Sequence, residues 1–165
     1  MLISFSEVSM LPYIRAGIRQ AHGEDVGGAR VKRQTIRGRG PRAEKLLAHD
    51  PVGRTIPYDL DLWWKSRTPE REHLGAIDRR LVRVWPIEIC HGRIETGDHA
   101  GLSRIGIFGP DGWRKGCSFV SWVRGDRPSA FADEAHADGF DSPEAFRDYF
   151  VPNRGDRFQA VLFKW

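Results

Sequence analysis

The apolar positions change period several times along this chain. Leu2-Ile3-Ser4-Phe5 alternates as a short strand, whereas Val8, Leu11, Ile14 and Ile18 recur at helical spacing. Pro12 is tolerated only in the first turn of that helix, so the helix is expected to begin near Ser9 and to stop about Gly17. Residues 20–29 are polar and glycine-bearing and read as loop, and residues 31–37 read as strand. Residues 38–57 form a long, proline-bearing excursion holding one short helix around 43–48. Residues 58–65 alternate again, with Tyr58, Leu60, Leu62 and Trp64 on one face and Asp59, Asp61, Trp63 and Lys65 on the other. A second strong strand covers 81–89, where Pro86 implies an edge or a bulge; Ile94 opens a third, paired with it through a turn at His91-Gly92. Ile105 to Phe108 is strand-like and ends at the turn Gly109-Pro110-Asp111-Gly112, and residues 118–123 add another strand. Residues 129–136 read as a helix. Ser142 caps a second one, with Pro143 at its first position and Phe146, Tyr149 and Phe150 as its buried stripe. After a turn at 153–157, residues 158–165 close the chain as a strand. The sum is an α+β fold: a small, mostly antiparallel, barrel-like sheet with a few short helices, in one domain.

Composition changes this picture in one direction. With 40% hydrophobic and 29% charged residues the 165-residue chain is ordinary globular protein, but six Trp and nine Phe are generous. The net charge is +4, and arginine greatly outnumbers lysine. Arginine suits bidentate phosphate contact and stacking on bases, which leans towards a nucleic acid or nucleotide partner, although a GC-rich genome gives the same composition. Cys90 and Cys117 are too few for a disulfide framework, no apolar run reaches the ~18 residues of a membrane span, and no signal-peptide pattern opens the chain. These features predict a cytoplasmic protein with no membrane association. Arg124-Gly125-Asp126 and Arg154-Gly155-Asp156 then read as turns. The six histidines show no metal-ligand spacing, and Gly38-Arg39-Gly40 lacks the pattern of a phosphate-cradling loop, so neither metal nor cofactor is expected.

Candidate chemistry concentrates in Lys32-Arg33-Gln34-Thr35-Ile36-Arg37, followed by Arg39 and Arg42. An amide-cleaving site needs a nucleophile, a base and an oxyanion stabiliser. Thr35 can attack if Lys32 is neutral, and Arg33 and Arg37 are placed to favour that state. The same residues also make an ordinary solvated basic strand. Moreover, side chains three apart on a regular strand point to opposite faces, so Lys32 and Thr35 can share a site only across a bulge or at a strand end. Arg30, Arg33, Arg37, Arg39 and Arg42 can line a phosphate-binding rim, and Trp63, Trp64 or Trp113 can stack a base. Because Trp63 and Trp64 are adjacent on a strand, one of them must turn away from the core.

The Lys32–Arg37 segment belongs to a larger pattern. Around it stand Ile3-Ser4-Phe5, Ile14-Arg15-Ala16-Gly17, Leu60-Asp61-Leu62-Trp63-Trp64 with Arg67-Thr68, Ala137-Asp138-Gly139-Phe140, and the closing Phe158-Gln159-Ala160-Val161-Leu162-Phe163-Lys164-Trp165. In this order the motifs resemble the ASCH-domain family of PUA-like β-barrels, in the form found in phage and prophage genomes. The resemblance spans nearly all of residues 1–165, with insertions around 18–31 and 39–57. It implies a cleft for RNA or a modified nucleoside. Characterised members include amidohydrolases that deacetylate N4-acetylcytidine with a Lys, a Thr and an acidic residue, and others described as ribonucleases. By position those three roles fall on Lys32, Thr35 and Asp138, the last as proton shuttle to the leaving amine, with Glu144 as a nearby rival. Arg33, Arg37, Arg39, Trp63 and Trp64 are the substrate-binding candidates. The alternatives on the same fold are a non-catalytic RNA-binding module and a ribonuclease.

Overall fold

The computed structural model describes residues 1–93, 103–108, 120–123, 130–154 and 157–165. In chain order its elements are β1 (Leu2–Phe5), a 3-10 turn (Val8–Met10), α1 (Leu11–Ala21), β2 (Gln34–Gly38), α2 (Pro41–His49), β3 (Leu60–Trp64), β4 (Glu72–Ile77), β5 (Arg83–Arg93), β6 (Ser103–Phe108), β7 (Val120–Val123), α3 (Ala130–Ala137), α4 (Pro143–Arg154) and β8 (Arg157–Lys164). The class is α+β. The strands divide between a three-stranded sheet, β1-β3-β4, and a five-stranded sheet, β2-β8-β5-β6-β7, and neither order closes on itself. The chain forms two compact units: Met1–Thr35 with Gly40–Val84 and Phe163–Trp165, and Ile36–Arg39 with Trp85–Leu162. Among the described residues no helix is long and apolar enough to cross a membrane.

In the first unit β3 is the organising strand. Leu60, Leu62 and Trp64 are buried and Asp61 and Trp63 half-buried, so its alternation follows the sequence pattern. It pairs parallel with β1 and antiparallel with β4, where Leu62 faces Gly75 but Trp63 faces His73. Leu74 is therefore the extra residue of a bulge. Gly75 sits at φ 144°, conformational space open to glycine, and Ile18 of α1 leans on it. α1 starts with Pro12 in its first turn, as the missing N–H of proline requires, but it runs past Gly17 to Ala21. Gly17 is not a stop. A methyl group there would lie 2.0 Å from the carbonyl oxygen of Lys32, so the position is glycine because another segment crosses it.

The second unit carries most of the five-stranded sheet, together with α3 and α4. β5 runs on through His91 and Gly92, which face Ile105 and Arg104 of β6, instead of turning there. Pro86 lies in a strand with neighbours on both sides, yet it precedes Glu88, the first β5 residue in register with β6, so its missing N–H removes nothing from that ladder. Ser142 caps α4, its Oγ accepting from the Ala145 N–H at 3.1 Å. Phe146 and Phe150 are buried among Phe131, Phe140 and Phe158, whereas Tyr149 is exposed and touches this aromatic cluster through Phe140 and Phe150. Ile94, the turn at Gly109–Gly112, Trp113, Cys117 and Arg124-Gly125-Asp126 lie outside the described residues.

Candidate functional site

Lys32 and Arg33 precede β2 rather than belonging to it, so strand alternation does not force Lys32 and Thr35 apart. The segment is laid against α1. The Lys32 N–H donates to the Tyr13 carbonyl at 2.9 Å, the Arg30 guanidinium stands 4.6 Å from the centre of the Tyr13 ring, and the Lys32 carbonyl passes over Gly17. On its other side the Trp165 N–H donates to the Arg33 carbonyl at 2.9 Å. Held this way, Lys32 is only 1% exposed, Gln34 1% and Thr35 3%. The Lys32 Nζ lies 5.8 Å from the centre of the Phe5 ring. Charged side chains are almost never this deeply buried without a structural or chemical reason, and Lys32 is among the largest fully buried side chains of the chain. Arg33, by contrast, is exposed. Trp64 is core, whereas Trp63 is half-buried with its ring 4.8 Å from that of His73.

Asp138 is placed by the end of α3. The Gly139 N–H donates to the His136 carbonyl and the Phe140 N–H to the Ala135 carbonyl, both at 2.9 Å, with Gly139 at φ 95°. This is a Schellman stop, which demands glycine at that residue and sends Phe140 into the aromatic cluster. The motif Ala137-Asp138-Gly139-Phe140 is thereby explained residue by residue, and Asp138 ends 2% exposed. In the same unit Arg37 is largely buried. Burial pushes its pKa down, while the charge of Asp138, and secondarily that of Tyr149, pushes it back up. Glu144, the rival acid, is half-exposed in the first turn of α4.

A second polar group was not legible in the sequence. From the residue just after β2 across the neighbouring strands β8 and β5, Arg39 Nη1 donates to Gln159 Oε1 at 2.6 Å and Gln159 Nε2 to Glu88 Oε2 at 3.3 Å. Glu88, 7% exposed, also meets Arg157 Nε at 2.5 Å and accepts from the Cys90 thiol at 3.1 Å. The signal for it was a lone glutamate inside the apolar run Val84-Trp85-Pro86-Ile87-Glu88-Ile89. Arg39 is thus committed to Gln159 as well as being exposed. Burial first, and then the hydrogen bond to Glu88, raises the Cys90 pKa against the opposing pull of Arg157. With Cys117 replaced by Ser, Cys90 is expected to react with iodoacetamide several-fold more slowly than a free thiol at pH 8, and Glu88→Gln should speed it. Free-thiol rates in the unsubstituted cluster would show that the thiol is not held protonated.

Among the described residues no group of three or more His, Cys, Asp or Glu is arranged to hold a metal ion. No family model, no curated protein and no solved structure matches this chain.

Proposed function

We propose that the chain is an ASCH-type, PUA-like domain that binds a modified nucleoside or RNA and hydrolyses an N-acylated pyrimidine such as N4-acetylcytidine. The observation that carries this reading is the burial of Lys32 together with Thr35 on one short segment, with Lys32 outside the regular strand. A lysine serving only as a phosphate contact belongs at a solvated rim, so its burial weighs against the purely binding alternative. Arg33 and Arg39 are exposed and supply the contacts to a phosphate-bearing substrate. A PUA-like, barrel-like arrangement of the sheets is part of the same proposal; it is supported by the motif order and the α+β class.

The chemistry assigned is acyl transfer to water. Thr35 Oγ gives its proton to a neutral Lys32 and attacks the acetyl carbonyl. The C–N bond breaks, and the nucleoside amine leaves with the Thr35 proton, passed on from Lys32 by the Asp138 carboxylate as shuttle, the role that the family resemblance gives that residue. Water then cleaves the acetyl-threonine ester, releasing acetate and restoring the hydroxyl.

The test is acetate release from N4-acetylcytidine, free and within RNA. Thr35→Ala is expected to lower turnover by about 10³-fold or more while leaving nucleoside binding largely intact. Tight, salt-sensitive RNA binding with no acetate from either substrate would replace this reading by the binding module, and cleavage of unmodified RNA would replace it by a ribonuclease.

A further inference from the structure

The first unit contains a cavity that the proposed hydrolase chemistry does not use. It has a volume of about 520 Å³ and is lined by Arg79, Arg80, Arg83 and His49, with Thr55, Ile56 and Pro57 completing the wall. Among the described residues no acidic side chain lines it. Arg79 and Arg80 come from the turn joining β4 to β5, where the Leu81 N–H donates to the Asp78 carbonyl at 2.9 Å, and Arg83 opens β5. The opposite wall is fixed by Asp50, whose carboxylate accepts from the Gly53 N–H at 2.7 Å and the Thr55 hydroxyl at 2.6 Å. A hydrogen bond from the Val84 N–H to the Arg54 carbonyl, 2.9 Å, ties the two walls together.

The three guanidiniums differ in their partners. Arg80 is paired with Asp78, whose pKa is lowered to about 2 mainly by that hydrogen bond, so the pair stays charged and largely cancels. Arg79 Nη1 donates to the Pro57 carbonyl at 3.0 Å, and Arg83 Nη1 to the carbonyls of Arg80 and Val82 at 2.8 and 2.9 Å. Main-chain carbonyls orient these groups without neutralising them, and among the described residues neither arginine makes an ion pair. Asp78 also acts on Arg79 through space, and the Arg79 N–H donates to Asp59 Oδ1 at 3.0 Å, but among the described residues neither guanidinium is held in a salt bridge, so both are free to grip an anion with several oxygens.

We propose that this cavity is a phosphate-recognition site, separate from the Lys32 segment, that takes the phosphoryl group of a nucleotide or of a polynucleotide backbone. The buried Ile56 and the ring of Pro57 offer an apolar wall to the organic part of the ligand.

Calorimetric titration of the whole chain with inorganic phosphate, AMP and a short oligouridylate tests this. The unsubstituted protein should bind phosphate, more weakly as salt rises. Arg79→Gln and Arg83→Gln should each weaken it about tenfold or more, Arg83→Lys by less, and Thr35→Ala not at all. AMP binding tighter than the oligonucleotide identifies a free nucleotide as the source; the reverse order identifies a polynucleotide. The proposal fails if none of the three probes binds, or if both Gln variants bind as well as the parent. Loss of acetate release in Thr35→Ala with phosphate binding unchanged separates this site from the proposed hydrolase.

Discussion

Gly17→Ala is expected to destabilise the protein by about 1–3 kcal/mol, a fall of several degrees in melting temperature, and to depress any activity that depends on Lys32. Two effects compete. Alanine in place of a glycine inside a helix is worth about 1 kcal/mol in propensity, which alone would make the change stabilising. Against it, the new methyl would stand 2.0 Å from the Lys32 carbonyl oxygen and 3.0 Å from its carbon. Both are backbone atoms, and the same residue is held to α1 by the Lys32 N–H bond to the Tyr13 carbonyl. A side chain can rotate away from such an overlap. A pinned backbone must move, carrying the Lys32 side chain out of its buried place. Thermal unfolding with and without the substitution measures this, and a melting temperature equal to or above the parent's would refute the close approach.

Gly17 also shows how far the sequence could be read. The period-two pattern of β3 and the Ser142-Pro143 start of α4 were legible because their causes are local: alternation on a pleated strand, and a hydroxyl three residues from the N–H it caps. Gly17 looked like a helix stop because its actual neighbour lies fifteen residues further along the chain. His91-Gly92 looked like a turn for a similar reason, since the strand opposite them, β6, carries them on. Within the candidate site, the Lys32 and Thr35 residue types were visible, whereas their burial depends on α1 and on the chain's final strand. The row from Arg39, just after β2, through Gln159 to Glu88 links strands that are distant in sequence and adjacent in the sheet, so no spacing rule could gather it. The arginine-lined cavity was invisible too, because its charge balance depends on which carboxylates are already engaged.

Asp138→Asn is expected to lower stability by about 1–2 kcal/mol, whatever part Asp138 plays in chemistry. Arg37 is a largely buried guanidinium whose pKa is pushed down by burial and supported first by the charge of Asp138. Asparagine keeps the shape and withdraws the charge, leaving that burial less compensated. Arg37→Met should remove the need for it, so the double variant is expected to be more stable than the sum of the two single losses predicts, with a coupling of about 1 kcal/mol or more. Strict additivity in a thermal double-mutant cycle would show that the pair does not act together. The same series separates structure from catalysis. If Asp138 only balances Arg37, the double variant releases acetate as fast as Arg37→Met alone, along with its recovered stability. If Asp138 delivers a proton to the leaving amine, stability returns and turnover does not, because an amide in that position has no acid to offer.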